Sequence, residues 1–389
     1  MRFLKEYALA RLFVAMAAGC LAGAFAPECV IRALNSFGAT FAAFIKFIVP
    51  LIIVALVTPA IAAAGRGARS LLLATIALAY ASTLAAGAFA FGVADALFPR
   101  ILGGSLLAAH GAVREFPAYF TLAMPPVFGV VTAMGLAFMF GLAMAAVKCE
   151  TLERVFAEMK EVVSLALAKA LVPLLPAYIF TVVADLAARR VLAQTGAESL
   201  KLAVVAIVVT VSLLLVQYTL AGIVARRNPL KALAAMSRAY FTGLGCCSSA
   251  ATIPVTLKCM AANGVSDETA NLVAPLCANI HLAGSMAKIT IFSAGFVVLA
   301  GGEISAAAFA EYILMLSVLA VAAPGVPGGM VLAAAPIAES VLGLAPSHYA
   351  VLIAAYLSID GVGTACNLTG DGAIALIVDQ IRARALPGR

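Results

Sequence analysis

The sequence predicts an all-α polytopic membrane protein, and three observations carry that prediction. Only 11% of the 389 residues are charged and 64% are hydrophobic, with a mean hydropathy of +1.10, whereas a soluble domain carries about 25% charged residues. Apolar runs of roughly 20 residues, the length that crosses the hydrocarbon core, recur along most of the chain. Near the C-terminus, the stretch Ile359-Asp360-Gly361-Val362-Gly363-Thr364-Ala365-Cys366-Asn367-Leu368-Thr369-Gly370-Asp371 sets two carboxylates, an amide and a hydroxyl inside such a run. On an ideal helix Asp360, Thr364, Asn367 and Asp371 share an arc of about 60°, one polar stripe on an otherwise apolar surface. Polar groups in lipid are costly and usually functional. The stripe is therefore the expected floor of a site for a small zwitterion.

Taken in order, the first apolar segment runs from about Tyr7 to Phe25. Ala17-Ala18-Gly19-Cys20 faintly resembles a lipoprotein cleavage site, but the segment is long enough to span and is expected to remain. Further spans are expected at about Phe37–Ala64, Leu71–Leu97, Val162–Ala187 and Leu202–Val224. Phe116–Lys148 contains Pro117, Pro125 and Pro126 and is expected to form a segmented helix. After Arg238 the pattern changes. Tyr240–Ala262 and Ala306–Gly343 are too polar, or too rich in small residues and proline, to be ordinary spans. Their tips are Cys247-Ser248-Ser249-Ala250-Ala251-Thr252-Ile253-Pro254 and Pro324-Gly325-Val326-Pro327-Gly328-Gly329. Each is followed by an interrupted span, about Asn271–Ala300 and His348–Ala383.

A unit of hairpin and broken helix thus occurs twice, and such interrupted segments in corresponding positions point to a transporter's binding site. Helix N-termini at the tips offer backbone N–H groups to an anionic group. Non-helical backbone at membrane depth is tolerated only where it is buried or lines a cavity. Two loops with kinked helices would explain the prolines, but not the polar stripe beside them.

The net charge of +7 does not require nucleic acid as a partner. Arg2, Lys5 and Arg11, then Arg66 and Arg69, Lys148, Arg154 and Lys160, Arg226, Arg227, Lys231 and Arg238, and finally Arg382, Arg384 and Arg389 fall on alternate connections. A smaller set, Arg32, Arg100, Arg114, Arg189, Arg190 and Lys201, falls on the other side. By the positive-inside rule the larger set faces the cytoplasm. The expectation is a multi-pass protein of the cell membrane (inner or plasma) in contact with lipid, with both termini cytoplasmic. The eight cysteines show no CxxC or Cys/His spacing and are read as packing residues. Tryptophan is absent, so interfacial anchoring falls to Tyr, Arg and Lys.

Four motifs occur together and in order: Lys46-Phe47-Ile48-Val49-Pro50, Ser248-Ser249-Ala250-Ala251-Thr252-Ile253-Pro254-Val255-Thr256, Gly325-Val326-Pro327-Gly328-Gly329 and Asn367-Leu368-Thr369-Gly370-Asp371. In these the chain resembles the dicarboxylate/amino acid:cation symporter family, the glutamate transporter homologues, over most of its length and most strongly from Phe241 to Asp371. The resemblance implies eight transmembrane helices and two re-entrant helical hairpins, at about 240–262 and 306–343, in a homotrimer. It implies a scaffold from residues 1–70 and 101–190 and an elevator-like transport domain from 71–100 and 199–389.

Residue by residue, Asp360 matches the family's carboxylate for the substrate ammonium. Thr364 and Asn367 match positions that hold the α-carboxylate and neighbouring atoms. Ser248 and Ser249, with backbone around Val326 and Gly328, would close the site; helix capping is the plainer role for the two serines. Acidic-substrate members carry an arginine where this chain has Gly363, which offers no charge and leaves space, and Cys247 supplies none at the alternative position. A neutral amino acid is the expected substrate, and Leu282-Ala283-Gly284 loosely resembles the serine/threonine branch.

The coupling ion is expected to be Na⁺ or H⁺, with no organic cofactor. The family's sodium-ligating N-M-D-G-T reads His281-Leu282-Ala283-Gly284-Ser285 here, and Ala320 to Ala323 replace hydroxyl-bearing ligands. Asn367 and Asp371 remain as a partial sodium site, while Tyr80 and Thr83 are read as packing. His281 is either a proton carrier or a hydrogen-bonded core histidine. Lys288, about two turns further on, is expected to reach the vacated cation space near Asp371. An exchanger, or a non-pumping receptor or channel on the same fold, is the alternative. An intramembrane aspartyl enzyme is excluded: on one helix Asp360 and Asp371 stand roughly 16 Å apart, too far to share a catalytic water.

Overall fold

The structure, a computed structural model, describes residues 2–65, 70–102, 116–147, 149–166, 169–170, 172–190, 192–322 and 328–385. It is all-helical, with no strand among the described residues. The first helices are α1 (Arg2–Phe25), α2 (Glu28–Gly65), α3 (Ser70–Ile101), α4 (Val130–Ala146), α5 (Glu150–Ala166), α6 (Val172–Ala188) and α7 (Leu192–Ala225). A short α8 (Pro229–Ala235) leads to four pairs: α9 (Ser237–Cys246) with α10 (Ser249–Ala262), α11 (Asp267–Ile280) with α12 (Ala283–Leu299), α13 (Ala306–Ala322) with α14 (Gly329–Leu342), and α15 (Pro346–Ser358) with α16 (Asp360–Ala385). Among the described residues five helical stretches are long and apolar enough to cross a bilayer: Glu28–Pro59, Leu71–Ile101, Thr195–Ala225, Asp267–Leu299 and Asp360–Arg384.

Two expectations need correction. Residues 116–129 are not helical, and α4 starts only at Val130. Pro117, Pro125 and Pro126 lack the N–H a helix needs and disfavour helical backbone in the residue before them. In the region of the expected span at Val162–Ala187 the described helices are α5, which starts well before it at Glu150 and is described to Ala166, and α6, described from Val172 to Ala188. Charged residues such as Glu153, Arg154, Glu158 and Lys160 hid α5 from a search for apolar runs. Its apolar side, Leu152, Phe156 and Met159, packs on Ala62, Phe140 and Met144.

The breaks within the four pairs arise locally. Cys247, left-handed at φ 49°, ends α9, and Ser248 caps α10 by accepting a hydrogen bond from Ala251 N–H at 3.5 Å. His281 ends α11 in extended backbone, and Ile359 separates α15 from α16. Gly328, at φ 74°, turns the chain into α14 in a conformation that glycine adopts without steric cost.

Helices α11–α12 and α16 form the centre: 89% of the apolar window in each is buried, against 28% for α3 and 39% for α7. Helix α16 packs against α3, α7, α9, α10, α11 and α12. Helices α1, α2, α4, α5 and α6 pack chiefly on one another and meet the rest mainly through α2 and α6 against α13, α14 and α15. At the far end of α16, Asp379 Oδ1 accepts hydrogen bonds from Ser266 Oγ at 2.5 Å and Thr269 Oγ1 at 2.7 Å, which fastens the start of α11.

Close approach to α16 depends on Gly361, where a Cβ would collide with the backbone carbonyl of Leu244. Backbone cannot move aside as a flexible side chain can. Gly361→Val is expected to cost about 1–3 kcal/mol or more from overpacking. Gly245→Ala, which meets nothing within 4 Å, should leave stability near wild type. Thermal unfolding in detergent, followed by gel filtration, checks the contrast.

Candidate binding site

The polar stripe of α16 is buried along its whole length, at Asp360, Thr364, Asn367 and Asp371. A cavity of about 70 Å³ opens beside its first half. Ser248 and Ser249 reach it from the α9–α10 turn, Gly328 from the start of α14, and Asp360, Thr364 and Asn367 from α16. Gly363, His281 and Asp371 do not line it. Val326 lies outside the described residues.

Asp360 is held on both oxygens. The Gly328 N–H donates to Oδ2 at 3.0 Å, and the Lys288 ammonium donates to Oδ1 at 3.0 Å. Lys288 is fully buried. It also donates to the carbonyls of Ile359 at 3.3 Å and Tyr356 at 3.4 Å, and lies 3.5 Å from the Tyr356 ring centre. The partner of Lys288 is therefore Asp360 and not Asp371. Along α12 and α16 the polar partners run in opposite directions. His281 meets Asp371, Gly284 and Ser285 meet Asn367, and Lys288 meets Asp360. Moving up α12 thus moves toward the beginning of α16.

The expectation of free space at Gly363 also changes. A Cβ there would stand 3.3 Å from Lys288 Cε and Ser285 Oγ and 3.4 Å from Lys288 Nζ. The glycine makes room for the lysine, so a positive charge enters this region from α12.

Asn367 Oδ1 accepts two backbone hydrogen bonds at the start of α12, from Gly284 N at 2.8 Å and Ser285 N at 3.2 Å, and its Nδ2 donates to Ser285 Oγ at 3.0 Å. It caps a helix that has no capping side chain of its own. Asp371 Oδ1 is 2.8 Å from His281 Nδ1, and His281 Nε2 is 3.1 Å from Ser82 Oγ, which in turn accepts from Gln217 Nε2 at 2.8 Å. With neutral His281, Nδ1–H donates to Asp371 and the Ser82 hydroxyl donates to Nε2. With protonated His281, both ring N–H groups still have an oxygen to meet. Asn367 Oδ1 and Asp371 Oδ1, on the two residues expected to hold sodium, thus already have protein partners. Among the described residues no cluster of three or more His, Cys, Asp or Glu side chains could hold a metal ion. Thr83 Oγ1 donates to the Ala79 carbonyl, and Tyr80 meets Ser317 at 3.5 Å.

Residues 8–381 match the sodium:dicarboxylate symporter family. The chain belongs to that family. Its members are transporters, not enzymes, and multi-pass membrane residence follows from the family and the apolar helices together. The chain is similar to the serine/threonine transporter SstT of Acinetobacter baumannii, 27% identical over 368 residues, which are 90% of this chain and 91% of that protein. It is 32% identical over 162 residues to human excitatory amino acid transporter 2, and 27% over 162 residues to bovine neutral amino acid transporter A. Those matches take in 40% and 41% of this chain, which spans only 27% and 30% of the length of the two mammalian relatives.

Three parts of this polar cluster escaped the sequence reading: Ser82, Gln217 and the Lys288–Tyr356 contact. Ser82 and Gln217 were visible as polar residues inside apolar spans, a signal that marks functional positions in membranes. Nothing in sequence spacing paired either with His281. Asn367→Ala is expected to strand two buried N–H groups at the start of α12 and to lower stability by about 1–3 kcal/mol, read as a fall in melting temperature without ligand.

Proposed function

We propose that this chain is a secondary active symporter of a neutral amino acid, and that coupling runs through a proton on the His281–Asp371 pair in place of sodium. The observation that carries the reading is the cavity bounded by the α9–α10 turn, the start of α14 and the polar face of α16. At about 70 Å³ the cavity has room for a small solute rather than a single water. Asp360 offers its carboxylate to an ammonium. The N-termini of α10 and α14, with the Ser248 and Ser249 hydroxyls, offer donors to a carboxylate. Thr364 and Asn367 complete the wall.

Gly363 and Cys247 bring no arginine for a second carboxylate, which favours neutral over acidic substrates. Histidine is the side chain whose charge changes near neutrality, and His281 has partners in both protonation states. In the same reading the fold comprises eight spans and two re-entrant hairpins, α9–α10 and α13–α14. Residues 1–70 and 101–190 form the scaffold of a homotrimer, and 71–100 and 199–389 a domain that moves like an elevator. Both termini face the cytoplasm. The commitment of Asn367 and Asp371 to protein partners also leaves room for a second reading, an exchanger or a non-pumping receptor on the same fold.

Purified protein in proteoliposomes is expected to accumulate a small neutral amino acid under an inward proton gradient without sodium. His281→Gln is expected to abolish the response to pH. Strong uptake driven by sodium alone, indifferent to pH, overturns the coupling assignment. Failure to concentrate any amino acid favours the exchanger or receptor. A thermal-shift screen against amino acids, with and without sodium, identifies the substrate, since a ligand at a hundred times its Kd adds about 2.7 kcal/mol to stability.

A further inference from the structure

We propose that Lys288 is a tethered counter-cation: it neutralises Asp360 while the site is empty and yields the carboxylate to the ammonium of an arriving amino acid. The proposal rests on the amino-acid reading above and adds how the unloaded protein crosses back.

The ammonium carries three N–H donors, and the structure gives it three acceptors: Asp360 Oδ1, the Ile359 carbonyl and the Tyr356 carbonyl. The face of the Tyr356 ring, 3.5 Å away, adds a fourth contact suited to a cation. This is a built cation site at the break between α15 and α16, and the chain's own side chain fills it. Asp360 lines the cavity while Lys288 does not. A solute ammonium therefore reaches the carboxylate from the cavity side, with the lysine behind it.

Displacement leaves Lys288 in place. If it releases Oδ1, it keeps two carbonyls and the aromatic face, so it remains a cation in its pocket without losing a proton. A zwitterion adds no net charge, so this end of the site is neutral both empty and loaded. Without the lysine, an empty site would hold Asp360 buried and short of a positive partner, which is strongly unfavourable. A state with an unpaired buried carboxylate moves through lipid slowly, whereas a paired one does not need a cation from solution. Gly363 belongs to the device, because any side chain there would press on Lys288 Cε and Nζ.

The test compares two transport modes in proteoliposomes. Net uptake requires the empty site to return; exchange of labelled against unlabelled amino acid does not. In Lys288→Met the ratio of net uptake to exchange is expected to fall by at least roughly tenfold, while the half-saturation concentration falls because no internal cation competes for Asp360. Parallel loss of both modes, or an unchanged or raised half-saturation concentration, overturns the proposal. The wild-type protein supplies a second measurement that does not depend on the variant folding. At a fixed pH gradient its net uptake is expected to be equal with choline, sodium or potassium as the internal cation. A requirement for internal sodium or potassium in net uptake, but not in exchange, overturns the proposal as well. If the wild type neither binds nor carries any amino acid, the reading of the cargo fails together with this inference; if it carries one and the criteria above are not met, only the role of Lys288 fails.

Discussion

A buried charge in a low-dielectric interior must find an opposite partner, and the centre of this protein is arranged around that requirement. Helix α16 carries two carboxylates, Asp360 and Asp371, into the buried core. Helix α12 and the break before it answer with the Lys288 ammonium at Asp360 and the His281 ring nitrogen at Asp371. Between the two pairs, Asn367 fastens the first turn of α12 to α16 by accepting its unsatisfied N–H groups. These three contacts fix the register of two helices that run in opposite directions. The small residues at their crossing, Gly284 against Cys366 and Gly363, let the backbones come close enough for the pairs to form.

This arrangement sets two distinct polar groupings along one helix. The start of α16 faces the cavity, where Asp360, Thr364 and Asn367 meet the α9–α10 turn and the start of α14. Further along, Asp371, His281, Ser82 and Gln217 form a polar chain outside the cavity wall, linking α16 to α3 and α7. A change in protonation at His281 would be felt by the Ser82 hydroxyl and the Gln217 amide. The Gln217 Oε1 atom is buried with no hydrogen-bond partner among the described residues.

Much of this was legible in the sequence because lipid makes polarity conspicuous. The stripe from Asp360 to Asp371 stood out against an apolar background, and the small-residue tips at Ser248 and Gly328 marked where helices break. The repeated unit of helix pair and broken helix was visible in the same way. What was not legible depends on distance through space. Lys288, about two turns beyond His281 in sequence, was expected near Asp371; opposed helix directions bring it to Asp360 and leave Asp371 to His281. Gly363 signals an absent arginine in sequence, yet only packing shows that a lysine from another helix fills the room. Helix α5 was missed because its charges disguise an amphipathic helix in a chain searched for apolar runs.

Gly328 ties one further property to Asp360. Its N–H, at the start of α14, occupies the second oxygen of the same carboxylate that faces the cavity. Any displacement of the start of α14 away from α16 would break that bond and leave the acid with one partner fewer. The position of α14 and the hydrogen-bonding of the carboxylate that lines the cavity are thus tied together at a single backbone N–H.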